Sequence, residues 1–132
     1  MKIFIDGASK GNPGKAGIGV VIQSHDGSVI QTYKEYIGYA TNNQAEYLAL
    51  IKGLDLASKR GAVNLEVYSD SELLIRQMNG EYKVRNPHLR KLYGQVKNLE
   101  KGFKKITYRH ISRKQNYLAD KLANEAIYSS NH

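Results

Sequence analysis

The sequence contains no cysteine, which rules out disulfides and thiolate metal sites and suits a reducing compartment. It has no apolar run approaching the roughly 18 residues that span a bilayer, so no membrane segment is expected. The opening "MKIFIDGASK" places only Ile3, Phe4 and Ile5 in a row before Asp6, far short of the roughly 7–15-residue core of a signal peptide. A cytoplasmic location is therefore expected. Internal repeats, low-complexity stretches and linkers are also missing, and 132 residues fit a single domain over 1–132. Acidic residues are scarce in one region. Residues 76–114 carry 12 of the 20 Lys and Arg against Glu81 and Glu100 alone, a net of +10 that leaves the rest of the chain at −2. A solvated basic face would account for this, and so would a polyanionic partner such as nucleic acid.

What is present reads as alternating strands and helices. Residues 2–6 form a short apolar strand, and "GIGVVIQSHDGSVIQTYKEYIGY" reads as two more, joined at Asp26-Gly27 by a hairpin turn. "TNNQAEYLALIKGLDLASKRG" has helical spacing, with Leu50, Gly53 and Ala57 on one face, Thr41 and Asn42 as capping candidates and Gly61 as a stop. "AVNLEVYSD" is a strand ending on Asp70, and "SELLIRQMNG" starts a short helix. "NPHLRKLYGQVKNLEKG" reads as an amphipathic helix opened by Pro87, with Leu89, Leu92, Val96 and Leu99 inward. "FKKITYRHI" alternates as a strand, and "NYLADKLANEAIYSS" closes as a helix with Ala119, Leu122, Ala123 and Ala126 as its buried stripe. The order βββαβααβα predicts an α/β fold, a mixed sheet with helices on its faces.

Two of these strands end on acids. If the strands ending at Asp6 and Asp70 are parallel neighbours, their carboxylates lie side by side, because adjacent strands are about 4.8 Å apart. Ligand sites in open α/β sheets form beyond the carboxyl ends of the strands. Glu46 and Asp120 each stand in an early helical turn beside an apolar stripe, from which they can turn inward. Four converging carboxylates repel unless a cation neutralises them. Without cysteine, and with only His25, His88, His110 and His132, an all-oxygen set favours Mg²⁺ or Mn²⁺ over zinc. Two such ions about 3.5–4 Å apart activate a water and stabilise the leaving oxygen of a phosphodiester. Each acid also has a structural reading: Asp6 as a turn former, Glu46 and Asp120 as favourable charges near helix N-termini, Asp70 as the cap of the helix at Ser71.

The blocks "IDGASKGNPGKAGIGVVI", "TNNQAEYLALIKGL", "VYSDSELLIRQMNGEYKVRNPH" and "HISRKQNYLADKLANEA" resemble, in order and over nearly the whole chain, the motif blocks of type 1 ribonuclease H. The resemblance implies the ribonuclease H-like fold with a five-stranded mixed sheet, and a metal tetrad at Asp6, Glu46, Asp70 and Asp120. It implies a metal-dependent endonuclease that cuts the RNA strand of RNA–DNA hybrids with two ions, leaving 5′-phosphate and 3′-hydroxyl ends. It also implies hybrid contacts at Asn12, Asn42 and Asn43, with Thr41 as a phosphate contact beside them. The family's loop residue that assists proton transfer and product departure corresponds here to His110 or to Arg113, and the compact bacterial and archaeal branch favours Arg113.

The match has two departures. Glu72 stands where many members have Gln, and the basic handle that some bacterial members insert after the helix following Asp70 is missing. No separate N-terminal hybrid-binding domain is expected. The +10 segment is the expected substitute for the handle. A 3′–5′ exonuclease of the same superfamily is disfavoured, because its first strand resembles Asp-x-Glu whereas this chain reads "DGA". A catalytically weak relative that binds hybrids or structured RNA is the alternative that Glu72 leaves open. A monomer is expected.

Overall fold

The computed structural model describes residues 1–129; Ser130 and His132, the end of the expected last helix and one of the four histidines, lie outside the described residues. Five strands, β1 (Lys2–Gly11), β2 (Gly14–Gln23), β3 (Val29–Ala40), β4 (Asn64–Ser69) and β5 (Lys105–His110), form one sheet in the order β3-β2-β1-β4-β5. The first three are antiparallel; β4 and β5 join parallel. The helices are α1 (Asn42–Lys59), α2 (Glu72–Met78), α3 (Pro87–Glu100) and α4 (Tyr117–Ser129). This is the expected α/β order.

Alternation in β1 decides which helix each residue meets. Ile3 and Ile5 face one side of the sheet, where with Val20, Ile22, Leu65 and Val67 they pack beneath Leu50, Leu54 and Ala57 of α1. The other side of β2 is covered by α4 through Ala119, Ala123, Ala126 and Ile127. Helix boundaries follow local chemistry. Thr41 closes a capping box with Gln44 at the start of α1, and Asn86 Oδ1 accepts from the amides of His88 and Leu89 ahead of Pro87.

Four details differ from the sequence reading. β1 does not stop at Asp6 but continues to Gly11, because β2 goes on pairing with it (Gly7 with Ile18, Gly11 with Gly14) after β4 has ended its register at Phe4 and Tyr68. The cap of α2 is Ser71, whose Oγ accepts from the Leu74 amide, which removes the capping role from Asp70. In α4 Ile127 is buried and Leu122 only half-buried, since α4 lies directly on the glycines of β2. In α3 only Leu89 and Val96 are fully buried.

Candidate active site

Asp6 stands directly opposite Gly19 of β2, and directly opposed residues in a sheet point to the same face. That face belongs to α4. A Cβ on Gly19 would lie 2.2 Å from the Ala119 carbonyl oxygen, so the absent side chain is what allows the first turn of α4 to settle beside Asp6. Asp120 follows Ala119 and is brought to the same place. On the other side of β1, Gly7 lets the backbone of α1 at Ala45 and Glu46 come equally close. Continuing the parallel register of β1 and β4 beyond Phe4 and Tyr68 sets Asp70 beside Asp6.

All four acids line one open pocket of about 470 Å³, together with Ser9, Lys10, Asn42, Asn43, Arg113 and Asn124. Asp6 is nearly buried, at 7% exposure, and its carboxyl is pushed up to about 9. Burial is the largest cause, followed by the charge of Asp70 and by a hydrogen bond shared with Asp120. Burial likewise pushes Glu46 up to about 7, opposed by a hydrogen bond with the Ser71 side chain and aided by the charge of Asp70.

Among the described residues, no three acidic or histidine side chains are already drawn into a ligating cluster. The four acids offer an all-oxygen donor set along the wall of one pocket. It fits a hard divalent cation of the Mg²⁺ or Mn²⁺ type.

Beside the acids, the hairpin between β1 and β2 is tied to the start of α1. The Asn42 amide donates to Asn12 Oδ1 at 2.9 Å, and the Ser9 amide donates to Asn42 Oδ1 at 3.0 Å. Asn12, with a left-handed φ of 56°, caps the hairpin tip, and Thr41 Oγ1 accepts from the Gln44 amide at 3.1 Å.

A family model described as "Reverse transcriptase-like" matches residues 4–126. The chain is 42% identical over 124 residues to ribonuclease HI of Halobacterium salinarum, a match covering 94% of this chain and 62% of that protein. The crystal structure of that archaeon's RNase H1 superposes with a TM-score of 0.95 at 41% identity, covering 97% of each chain. The chain belongs to the type 1 ribonuclease H family. LC11-RNase H1, solved in complex with an RNA/DNA hybrid, superposes on it with a TM-score of 0.95 at 40% identity over 99% of each chain. A bifunctional protein of Mycobacterium tuberculosis is 48% identical over 130 residues, 96% of this chain; the chain spans 36% of that relative's length.

Within this family member, Arg113 and His110 are placed differently. Arg113 lines the acid pocket, with Nη2 3.5 Å from Asp120 Oδ1, whereas His110 is an exposed residue at the end of β5, paired in register with Ser69 and outside the pocket lining. Glu72 is also outside the lining, and its Oε1 is held by Arg76 through Nε at 3.0 Å and Nη2 at 2.9 Å. Its charge therefore has a partner.

A larger open cavity of about 700 Å³ lies where the chain leaves α2 and enters α3, lined by Tyr82, Lys83, Arg85, Arg90 and Tyr93 among others, with no carboxylate. It carries cations but no reacting group. Seven residues of α2, about 10 Å of helix, separate that loop from Asp70.

The sequence reading passed over four residues that build the site. Gly7 and Gly19 admit the helices; Asn124 Nδ2 donates to Asp120 O at 2.9 Å and Oδ1 at 3.3 Å; Asn116 is buried against Asp70. Asn116 and Asn124 carried a signal, each four positions from Asp120 in the stretch read as the last helix; the two glycines carried none.

Proposed function

We propose that this chain is a divalent-metal-dependent endonuclease that hydrolyses the RNA strand of RNA–DNA hybrids, leaving 5′-phosphate and 3′-hydroxyl ends. The observation that carries the reading is the convergence of Asp6, Glu46, Asp70 and Asp120 in one pocket, with Asp6 held up to about 9 by burial and by its neighbours. So strong a crowding of carboxyls stabilises nothing by itself and suits a site completed by cations. Two Mg²⁺ or Mn²⁺ ions held by these four residues would supply an activated water and charge for the leaving oxygen.

The remaining work falls to the chain's own groups. Asn12 and Asn42 use their Oδ1 atoms to hold hairpin and helix together, and neither Nδ2 donates to a described residue. With Asn43, they offer amide donors to the wide minor groove, where 2′-hydroxyls distinguish RNA from DNA. Thr41 keeps its hydroxyl hydrogen for a phosphate while Oγ1 caps α1. Arg113, 78% exposed and beside Asp120, places its guanidinium against the charge that develops on the departing product. The cavity at Lys83, Arg85 and Arg90, one short helix from the acids, takes phosphates of the hybrid and substitutes for a basic handle. The reading is of a single unit acting as a monomer in the cytoplasm.

The test is an end-labelled RNA–DNA hybrid with duplex RNA, duplex DNA and single-stranded RNA as controls, in Mg²⁺, Mn²⁺ or EDTA. Internal cuts confined to the RNA strand of the hybrid, and lost in EDTA, are expected. Binding of the hybrid without cutting in either metal would replace this reading with the catalytically weak relative.

A further inference from the structure

Beyond Phe4 and Tyr68 the ladder between β1 and β4 ends, so no backbone pairing holds Asp6 and Asp70 at a fixed separation where the acids meet. One buried side chain stands in that gap. Asn116, 1% exposed, donates from Nδ2 to the Ile5 carbonyl oxygen at 2.9 Å and to Asp70 Oδ1 at 3.2 Å. Ile5 is the residue before Asp6. The Asn116 backbone carbonyl oxygen accepts from the Asp120 amide at 3.1 Å, and its backbone amide donates to Ser112 O and Arg113 O, both at 3.1 Å. A single residue thus touches the β1 backbone next to Asp6, the carboxylate of Asp70, the first turn carrying Asp120 and the loop carrying Arg113.

We propose that Asn116 is a positioning residue that sets the separation and orientation of Asp6, Asp70 and Asp120, in place of the rung the sheet does not form. The inference rests on the metal-dependent reading above.

The orientation of the carboxamide is dictated by its surroundings. Both acceptors are oxygens, so turning the amide over would set Oδ1 against Ile5 O and Asp70 Oδ1. In the arrangement observed, Oδ1 is buried without a hydrogen-bond partner among the described residues. What sets the residue apart is where its donors go: Nδ2 is directed at the backbone beside Asp6 and at the Asp70 carboxylate. Aspartate has the same shape but carries acceptors alone. Serine is too short to span from the turn before α4 to both partners.

The experiment compares the parent with Asn116→Ala and Asn116→Asp in three measurements: unfolding in EDTA, Mn²⁺ binding by calorimetry without nucleic acid, and steady-state cutting of the hybrid. Folded variants are expected to lose about 10–100-fold in Mn²⁺ affinity and in kcat, as groups behind metal ligands do, with KM for the hybrid within about threefold. Asn116→Asp is expected to be the more severe, because it places a charge against Asp70. A folded Asn116→Ala that binds Mn²⁺ and turns over like the parent overturns the proposal, as does a loss confined to KM.

If neither variant folds, the parent decides by nuclear magnetic resonance. The Asn116 side-chain NH₂ signals should move on Mg²⁺ titration with the same midpoint as the Asp70 carboxyl carbon, and signals that stay in place overturn the proposal. A parent that neither binds Mn²⁺ nor cuts the hybrid removes the functional reading itself, and this inference with it. That outcome is distinct from a competent parent with unaffected variants.

Discussion

The backbone of α1 at Glu46 runs through the space a side chain on Gly7 would fill: a Cβ there would lie 2.4 Å from the Glu46 nitrogen and 2.2 Å from the Ala45 carbonyl carbon. Both obstacles are backbone and neither can rotate away. Gly7→Ala is therefore expected to push α1 off the sheet, costing about 1–3 kcal/mol of overpacking or more and drawing Glu46 away from Asp6. Urea unfolding and hybrid cleavage should both fall in this variant. Unchanged values in both would show that the helix adjusts without cost.

In EDTA the protein is expected to lose stability as pH rises. Asp6 ordinarily titrates at 3.8 and is held at about 9 in the folded chain, and Glu46 moves from 4.5 to about 7. Between these values the folded chain keeps protons that the unfolded chain has lost. Unfolding free energy therefore declines with pH; the contribution is complete below about pH 4 and exhausted above about pH 9 for Asp6 and about pH 7 for Glu46. Urea midpoints measured from about pH 5 to pH 8 should drop, and saturating Mg²⁺ should flatten the trend. Asp6→Asn should remove most of it. A midpoint independent of pH would contradict the crowding of these carboxyls.

Asp70→Asn is expected to lower hybrid cleavage by about 10³-fold or more while leaving the fold intact. The neutral side chain takes away a charge that repels Asp6, so in EDTA the variant should be at least as stable as the parent. A variant that cuts as fast as the parent would mean that the site lies elsewhere.

Arg113→Ala and His110→Ala should separate the two loop candidates. The Arg113 to Asp120 pair is 3.5 Å long with the arginine 78% exposed, so its removal should change stability by less than about 1 kcal/mol. Turnover should nevertheless drop about 10-fold or more, because the guanidinium lines the acid pocket. His110→Ala should stay within about twofold of the parent, since His110 is outside that lining. The reverse ranking would transfer the role to His110.

Replacing Lys83, Arg85 and Arg90 with Gln should weaken hybrid binding most at low salt. Every phosphate that these cations no longer neutralise should reduce the slope of log Kd against log salt by about 0.9. The three side chains are exposed and in no described ion pair, so stability should be unaffected. An unaltered slope would return this cavity to an ordinary solvated face.

The element order, the cap of α1 at Thr41, the proline start of α3 and the hairpin at Asp26-Gly27 were legible in the chain, because each depends on residues within a few positions of one another. The early end given to β1 was misplaced for the opposite reason. "DGASKG" contains turn-forming residues, and what keeps it extended is β2 beside it, from Gly7 opposite Ile18 to Gly11 opposite Gly14. The exchange of Leu122 for Ile127 in the buried stripe of α4 has the same origin, since the position of α4 is set by Gly17 and Gly19 on another strand.

By itself the sequence determined the donor chemistry of the site, oxygen without sulfur, the basic segment that accompanies it and the strands and helices that carry each acid, because these are properties of side chains and of local periodicity. Tertiary structure alone decided that Asp6 faces α4 while Gly7 faces α1, and that Asn116 reaches across 111 positions to the carbonyl of Ile5. The physical reason is that a carboxylate's protonation and a carboxamide's orientation are set by whatever the fold packs against them, and contacts between residues so far apart in the chain leave no periodic trace in it.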